Sequence, residues 1–127
     1  MGIGMKVLIV DDNSNMRAMI RKILEQNVPE IRAVIECDDG AEAIELYHQN
    51  SPDWVLMDIQ LKEMDGLVAT ASILSADPTA KIVIVTQYDD SKYRKFSKNA
   101  GAYGYVLKDN LFDILKIIQS NNTNSYS

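Results

Sequence analysis

The sequence predicts an α/β three-layer sandwich, with a five-stranded parallel sheet between two layers of helices. Five short apolar runs recur along the 127 residues: Val7 to Val10, Ala33 to Cys37, Trp54 to Met57, Ile82 to Val85 and Tyr103 to Leu107. Longer segments with helical spacing separate them. Strands that alternate with helices need right-handed crossovers, and those force parallel pairing. Polar residues, several of them aspartates, stand directly after these runs, so one rim of the sheet is the place to look for chemistry.

Val7-Leu8-Ile9-Val10 is uninterrupted apolar, as a strand covered on both faces requires, and Asp11-Asp12 ends it. Met16, Ile20, Ile23 and Leu24 then fall on one helix face, with Ser14 or Asn13 as the cap. The second run carries Glu36, and Asp39 with Glu42 resembles a capping box for the helix that follows. Trp54-Val55-Leu56-Met57 ends in Asp58, and Ile82-Val83-Ile84-Val85 ends in Thr86. Asp89-Asp90 starts the fourth helix. The fifth run carries Gly104 and ends before Lys108; Leu111, Ile114, Leu115 and Ile118 form the last helix face, with Asp109 or Asn110 as its cap. Pro29, Pro52 and Pro78 fall in connections, where a missing N–H does least damage.

The first, third and fourth runs, wholly apolar, belong in the middle of the sheet. The second and fifth, interrupted by Glu36 and Gly104, belong at its edges. The resulting order is 2-1-3-4-5, that of a flavodoxin-like (βα)5 fold. First and third strands are then neighbours, and Asp11, Asp12 and Asp58 meet.

Composition limits the function. The length suits one domain with a single core, expected over residues 1–120, with 121–127 as a polar tail or the start of an interdomain linker. A net charge of -5 and the absence of a Lys/Arg stripe argue against direct nucleic-acid contact. The single cysteine, Cys37, excludes an internal disulfide and reads as a small buried thiol in a reducing compartment. No apolar run approaches the roughly 20 residues needed to span a bilayer, and the start lacks a signal peptide, so no membrane association and a cytoplasmic location are expected. His48 has no partner at ligand spacing and reads as a surface residue; the six methionines are spread through the chain as gap-fillers. Asn121-Asn122-Thr123 has the letters of a glycosylation acceptor but sits in a tail expected to be cytosolic.

The rim carries the chemistry. Carboxylates that converge repel one another, and a bound divalent metal offsets that cost. Asp11, Asp12 and Asp58 with the hydroxyl of Thr86 and the ammonium of Lys108 make a rim suited to a metal and a phosphoryl group.

On these residues the chain resembles a response-regulator receiver domain of bacterial two-component signalling, over roughly residues 5 to 120. Val10-Asp11-Asp12-Asn13 resembles the acidic end of that family's first strand. Asp58-Ile59-Gln60-Leu61 with Met64-Asp65-Gly66 resembles the segment around the phosphoacceptor, Val85-Thr86 the fourth-strand switch site, and Gly101-Ala102-Tyr103-Gly104-Tyr105-Val106-Leu107-Lys108 the fifth-strand signature. Thr86-Gln87-Tyr88-Asp89-Asp90 and Val106-Leu107-Lys108-Asp109-Asn110 look closest to LuxR/NarL-type transcriptional regulators.

The resemblance implies specific roles. Asp58 would accept phosphate from a sensor histidine kinase, and the domain would catalyse its own phosphorylation and dephosphorylation without turning over a separate substrate. Mg2+, or Mn2+ in its place, would be bound by Asp12, Asp58 and the backbone carbonyl of Gln60, with Asp11 acting mainly through water. Mg2+ keeps several waters, which suits so open a donor set. Lys108 would pair first with Asp58 and then with a phosphoryl oxygen, and Thr86 would donate to another. Movement of Thr86 would let Tyr105 enter the vacated space and change the face formed by the fourth helix, fifth strand and fifth helix. Gln60, Gln87 and Tyr88 would flank the water that later removes the phosphate, the large Tyr88 favouring a shielded site and slow reset. The output would be a downstream effector or a DNA-binding domain outside this sequence. A free-standing receiver that relays phosphate or binds a partner is the alternative, and a phosphorylation-dependent homodimer is a contact the sequence leaves open.

One residue departs from the family pattern: Lys62 stands where proline is usual, which frees the loop and adds a cation near the site. Two rival classes fit less well. An aspartate-nucleophile phosphatase or phosphomutase usually places its nucleophile after the first strand in an Asp-x-Asp pattern and needs an added cap. A flavin carrier with this fold would offer hydroxyls and N–H groups in its first loop, whereas Asp11 and Asp12 would repel the phosphate.

Overall fold

The structure, a computed structural model, describes residues 4–120; the expected tail over 121–127 and the first three residues lie outside them. Five strands, β1 (Met5–Val10), β2 (Ile31–Cys37), β3 (Trp54–Met57), β4 (Ile82–Thr86) and β5 (Gly104–Leu107), alternate with α1 (Ser14–Asn27), α2 (Gly40–Asn50), α3 (Gly66–Ala76), α4 (Ser91–Ala100) and α5 (Asp113–Gln119). The sheet order is β2-β1-β3-β4-β5 and every pairing is parallel.

The period of two along the central strands builds two cores, one on each face of the sheet, where the length alone suggests one. Val7, Ile9, Trp54, Leu56, Val83 and Val85 face Ile20 and Leu24 of α1 and Ile114 and Ile118 of α5. Leu8, Val10, Val55, Met57, Ile82 and Ile84 face Ala43 and Tyr47 of α2 and Ala69 and Ile73 of α3. The middle strands are therefore apolar on both faces. β2 is only partly covered, as its edge place and Glu36 predict; Glu36 takes Arg17 and Arg21 of α1 at 2.9 and 2.7 Å.

The caps follow the sequence at three helices and depart from it at one. Asn13 rather than Ser14 accepts the Met16 N–H at the start of α1, Asp39 accepts the Ala41 N–H, and Asp90 accepts the Tyr93 N–H. Neither Asp109 nor Asn110 caps α5. A 3-10 turn occupies Lys108–Asn110, and α5 begins at Asp113 behind Phe112 without a side-chain cap. Tight bonds from Ile114 N–H to the Leu111 carbonyl and from Leu115 N–H to the Phe112 carbonyl do the cap's work. The delay follows from Lys108, which turns back to the rim before the chain can wind into a helix.

Strand bounds also shift slightly. β1 and β2 begin two residues earlier than their apolar runs, Thr86 is the last residue of β4, and Tyr103 precedes β5. Register then sets the site: Val10 pairs with Met57, so Asp11 and Asp58 leave the sheet side by side, with the Asp58 N–H on the Val10 carbonyl at 2.9 Å.

Candidate functional site

The carboxylates of Asp11, Asp12 and Asp58 gather within 4.8 Å of one another. Asp11 and Asp58 are buried, at 2% and 5% exposure, while Asp12 faces solvent. Lys108 Nζ lies between the buried pair, 2.9 Å from Asp11 and 3.1 Å from Asp58. The expected pairing with Asp58 is present, and Asp11 shares it. Burial, with the charge of Asp11, pushes the Asp58 carboxyl up to about 6 against the opposing pull of Lys108. Burial works against the Lys108 ammonium, yet its hydrogen bonds to Asp11 and Asp58 and their charges raise its pKa overall. A cationic counter-group between two buried acids is the charge balance such a rim needs.

The backbone is braced around these groups. The Asn13 N–H donates to Asp11 Oδ1 at 2.8 Å, and Arg17 Nη1 donates to the Asp11 carbonyl at 2.6 Å. Gly66, first residue of α3, gives its N–H to the Ile59 carbonyl at 2.8 Å. A Cβ on Gly66 would stand 1.8 Å from the Asp58 carbonyl oxygen, so only glycine lets α3 approach the third strand's end this closely. The motif around Met64-Asp65-Gly66 contained this residue, but the reason for it is visible only in three dimensions.

A cavity of about 160 Å³ opens beside the acids, lined by Asp12, Asn13, Asp58, Gln60, Gln87, Tyr88 and Lys108. Gln60, Gln87 and Tyr88 thus line the space beside the acids, and Asn13, the cap of α1, joins them. Thr86 is fully buried, and its hydroxyl accepts the Tyr88 N–H at 3.2 Å, leaving its own proton to donate elsewhere. Tyr105 is half-buried: its hydroxyl donates to the Tyr88 carbonyl at 2.6 Å, and the Arg94 guanidinium lies 4.6 Å over its ring. Tyr88 stacks on Tyr93 with ring centroids 4.7 Å apart. The loop after β4, the aromatic of β5 and α4 are thereby one connected unit. Lys62 does not line the cavity; it reaches Asp38 at 3.3 Å, so the added cation ties the loop after β3 to the loop after β2. His48 is exposed and Cys37 is buried, as expected.

An all-oxygen donor set with one solvent-facing member fits a hard divalent cation that retains water, whereas soft metals would want sulfur or imidazole. Among the described residues, no helix is long and apolar enough to cross a membrane.

A parallel 2-1-3-4-5 sheet with an acidic pocket at its carboxyl rim, closed by a lysine from β5's end, defines a signal-receiver fold. The chain belongs to the response regulator receiver domain family, whose sequence profile matches residues 7–119. Among its relatives, the transcriptional regulatory protein DegU of Brevibacillus brevis is 32% identical over 117 residues, 89% of this chain but 49% of that protein. The chain thus spans about half the length of that relative. The chemotaxis protein CheY of Halobacterium salinarum is 39% identical over 103 residues, covering 81% of this chain and 83% of that protein. A two-component response regulator of the LuxR family from an Aurantimonas species superposes with a TM-score of 0.86 at 32% identity, over 94% of this chain and 85% of that one. These likenesses bear out the receiver assignment and its kinship with LuxR/NarL-type regulators. All five helices of the described residues flank the sheet, so a DNA-binding output is not among them.

Proposed function

We propose that Asp58 is the phosphoacceptor of a Mg2+-dependent switch, written by a sensor histidine kinase and erased by hydrolysis on the same domain. The observation that carries this reading is Lys108 held between two buried carboxylates, with exposed Asp12 beside them and Thr86 enclosed nearby. Asp12, Asp58 and the backbone carbonyl of Gln60 would hold Mg2+, or Mn2+ in its place, with Asp11 acting through water. The ion would supply charge neutralisation between an anionic nucleophile and an anionic phosphoryl group. Asp58 attacks phosphorus as the phosphohistidine nitrogen departs. Lys108 exchanges Asp58 for a phosphoryl oxygen while keeping Asp11, and Thr86 donates its free proton to another oxygen. Acting on its own residue, the domain is a switch with catalytic chemistry.

Readout follows from the unit formed by Thr86, Tyr88, Tyr105 and Arg94. When Thr86 turns toward phosphate it releases the Tyr88 N–H, and the Tyr88 carbonyl is the group that holds Tyr105. The α4, β5 and α5 face changes with it and serves a downstream effector, a DNA-binding domain or a phosphorylation-dependent second copy. The likeness to DegU favours transcription as the output; that to CheY favours a free-standing receiver that relays phosphate or binds a partner. The reading frame beyond Ser127 separates them. Cytoplasmic location accords with a kinase donor and a reduced Cys37.

Labelling with acetyl phosphate tests the chemistry: acid-labile phosphate should form with Mg2+, fall sharply with chelator and vanish in Asp58→Ala. Equal labelling of that variant would sink the assignment. Gln60, Gln87 and Tyr88 control water access, so Tyr88→Ala should dephosphorylate several-fold faster in a single-turnover decay; an unchanged rate removes Tyr88 from that role.

A further inference from the structure

Arg17 approaches the acidic rim from α1 without touching a rim carboxylate. Its Nη1 donates to the backbone carbonyl of Asp11 at 2.6 Å, and its Nε donates to Glu36 Oε1 at 2.9 Å. The side chain is 19% exposed, so these charge-assisted bonds are largely shielded from water. Glu36 is itself fixed: it lies in β2, opposite Ile9 of β1, and its second oxygen accepts from Arg21 Nε at 2.7 Å. The guanidinium plane is therefore clamped between the edge strand and the loop that carries the acids.

The Asp11 carbonyl belongs to the peptide plane that joins Asp11 to Asp12. Rotation of that plane turns Asp11 on one side and Asp12 on the other, so a donor on this oxygen sets the direction of both carboxylates. Bonds from the Asp11 N–H to the Cys37 carbonyl at 3.1 Å and from the Asn13 N–H to Asp11 Oδ1 at 2.8 Å hold the flanks, and Arg17 holds the centre. We propose that Arg17, anchored by Glu36, is a positioning residue for the divalent-cation site: it fixes the peptide plane between Asp11 and Asp12 so that their carboxylates are aimed before the ion arrives. This rests on the reading of the rim as a Mg2+ site.

Charge and positioning make opposite demands, which gives the test its sign. A guanidinium next to the site repels an incoming cation, so if charge alone mattered, its removal would tighten Mg2+ binding. Loss of positioning weakens it, by about tenfold, as for other groups that orient metal ligands. Mg2+ affinity of the full chain is measured by isothermal titration calorimetry, with circular dichroism to show that each variant is folded. Arg17→Ala is expected to bind Mg2+ about tenfold more weakly, and Arg17→Lys, which keeps the charge but offers no planar fork, to fall between. Arg21→Ala takes an equal charge from the same Glu36 but leaves both Arg17 bonds, to Glu36 Oε1 and to the Asp11 carbonyl, so its affinity should stay within about twofold of the parent.

In the metal-free protein the amide signals of Asp12 and Asn13 should broaden in Arg17→Ala and stay sharp in Arg21→Ala, a response that a general loss of stability would not confine to this loop. Mg2+ binding by Arg17→Ala as tight as the parent's, or tighter, overturns the proposal. If that variant does not fold, Arg17→Lys and Glu36→Gln decide it, and parental affinity in both overturns it. Absence of saturable Mg2+ binding by the parent chain overturns the metal reading itself, a different result from parental affinity in the variants.

Discussion

At the scale of single residues, the site depends on contacts too close to allow substitution. Gly66 is the sharpest case, because α3 starts against the carbonyl of Asp58. An alanine there must push the helix start off β3's end or displace the backbone of Asp58. We expect Gly66→Ala to lower stability by about 1–3 kcal/mol in urea unfolding, with the m-value unchanged, and to slow labelling of Asp58. Lys108 shows the complementary case, in which one side chain answers two acids. Its position between Asp11 and Asp58 explains how two carboxylates can be buried side by side, although burial and the charge of Asp11 still leave Asp58 raised to about 6.

At the scale of elements, the edge strand and first helix are joined by charge. Glu36 in β2 loses hydration on burial, but its bonds to Arg21 and Arg17 outweigh that cost and hold its carboxyl below the ordinary value. A carboxyl depressed in the folded state contributes stability that is fully present above its unfolded pKa, about 4.3, and is lost as pH falls through the folded pKa. Glu36→Gln should therefore destabilise by about 1 kcal/mol at neutral pH, and the gap to the parent should stay flat down to about pH 5 and narrow below about pH 4. Denaturant unfolding of both proteins across that range checks it; a gap that widens toward low pH contradicts the assignment.

At the scale of the whole molecule, the two cores share one sheet, so the thiol in the second core reports on both. Burial, partly offset by a hydrogen bond with the Asp39 backbone, pushes Cys37 up to about 11, and a chromogenic disulfide reagent should label it only through opening of the fold. A ligand at a hundredfold excess over its Kd stabilises the native state by about 2.7 kcal/mol. Mg2+ at that concentration should slow labelling of Cys37 about 100-fold if global unfolding exposes it, and Asp58→Ala should reduce the protection. Labelling insensitive to Mg2+ would show that Cys37 is reached by local opening near α2.

Much of this was legible in the residues in order. Apolar runs two faces deep named the central strands, Glu36 and Gly104 named the edges, and the polar residues after the first, third, fourth and fifth apolar runs named Asp11, Asp12, Asp58, Thr86 and Lys108, because strand period and chain direction are local properties. Three things were not local. The start of α5 moved because Lys108 is drawn back to acids some fifty and more residues away in sequence, which no capping signal encodes. Lys62 pairs with Asp38 across two loops, and Arg17 braces a carbonyl that carries no sequence letter of its own. Chain order alone names the side chains that stand at the rim. Tertiary structure decided how they are aimed, since direction comes from backbone carbonyls, close approaches and shared counter-ions that exist only once the strands lie side by side.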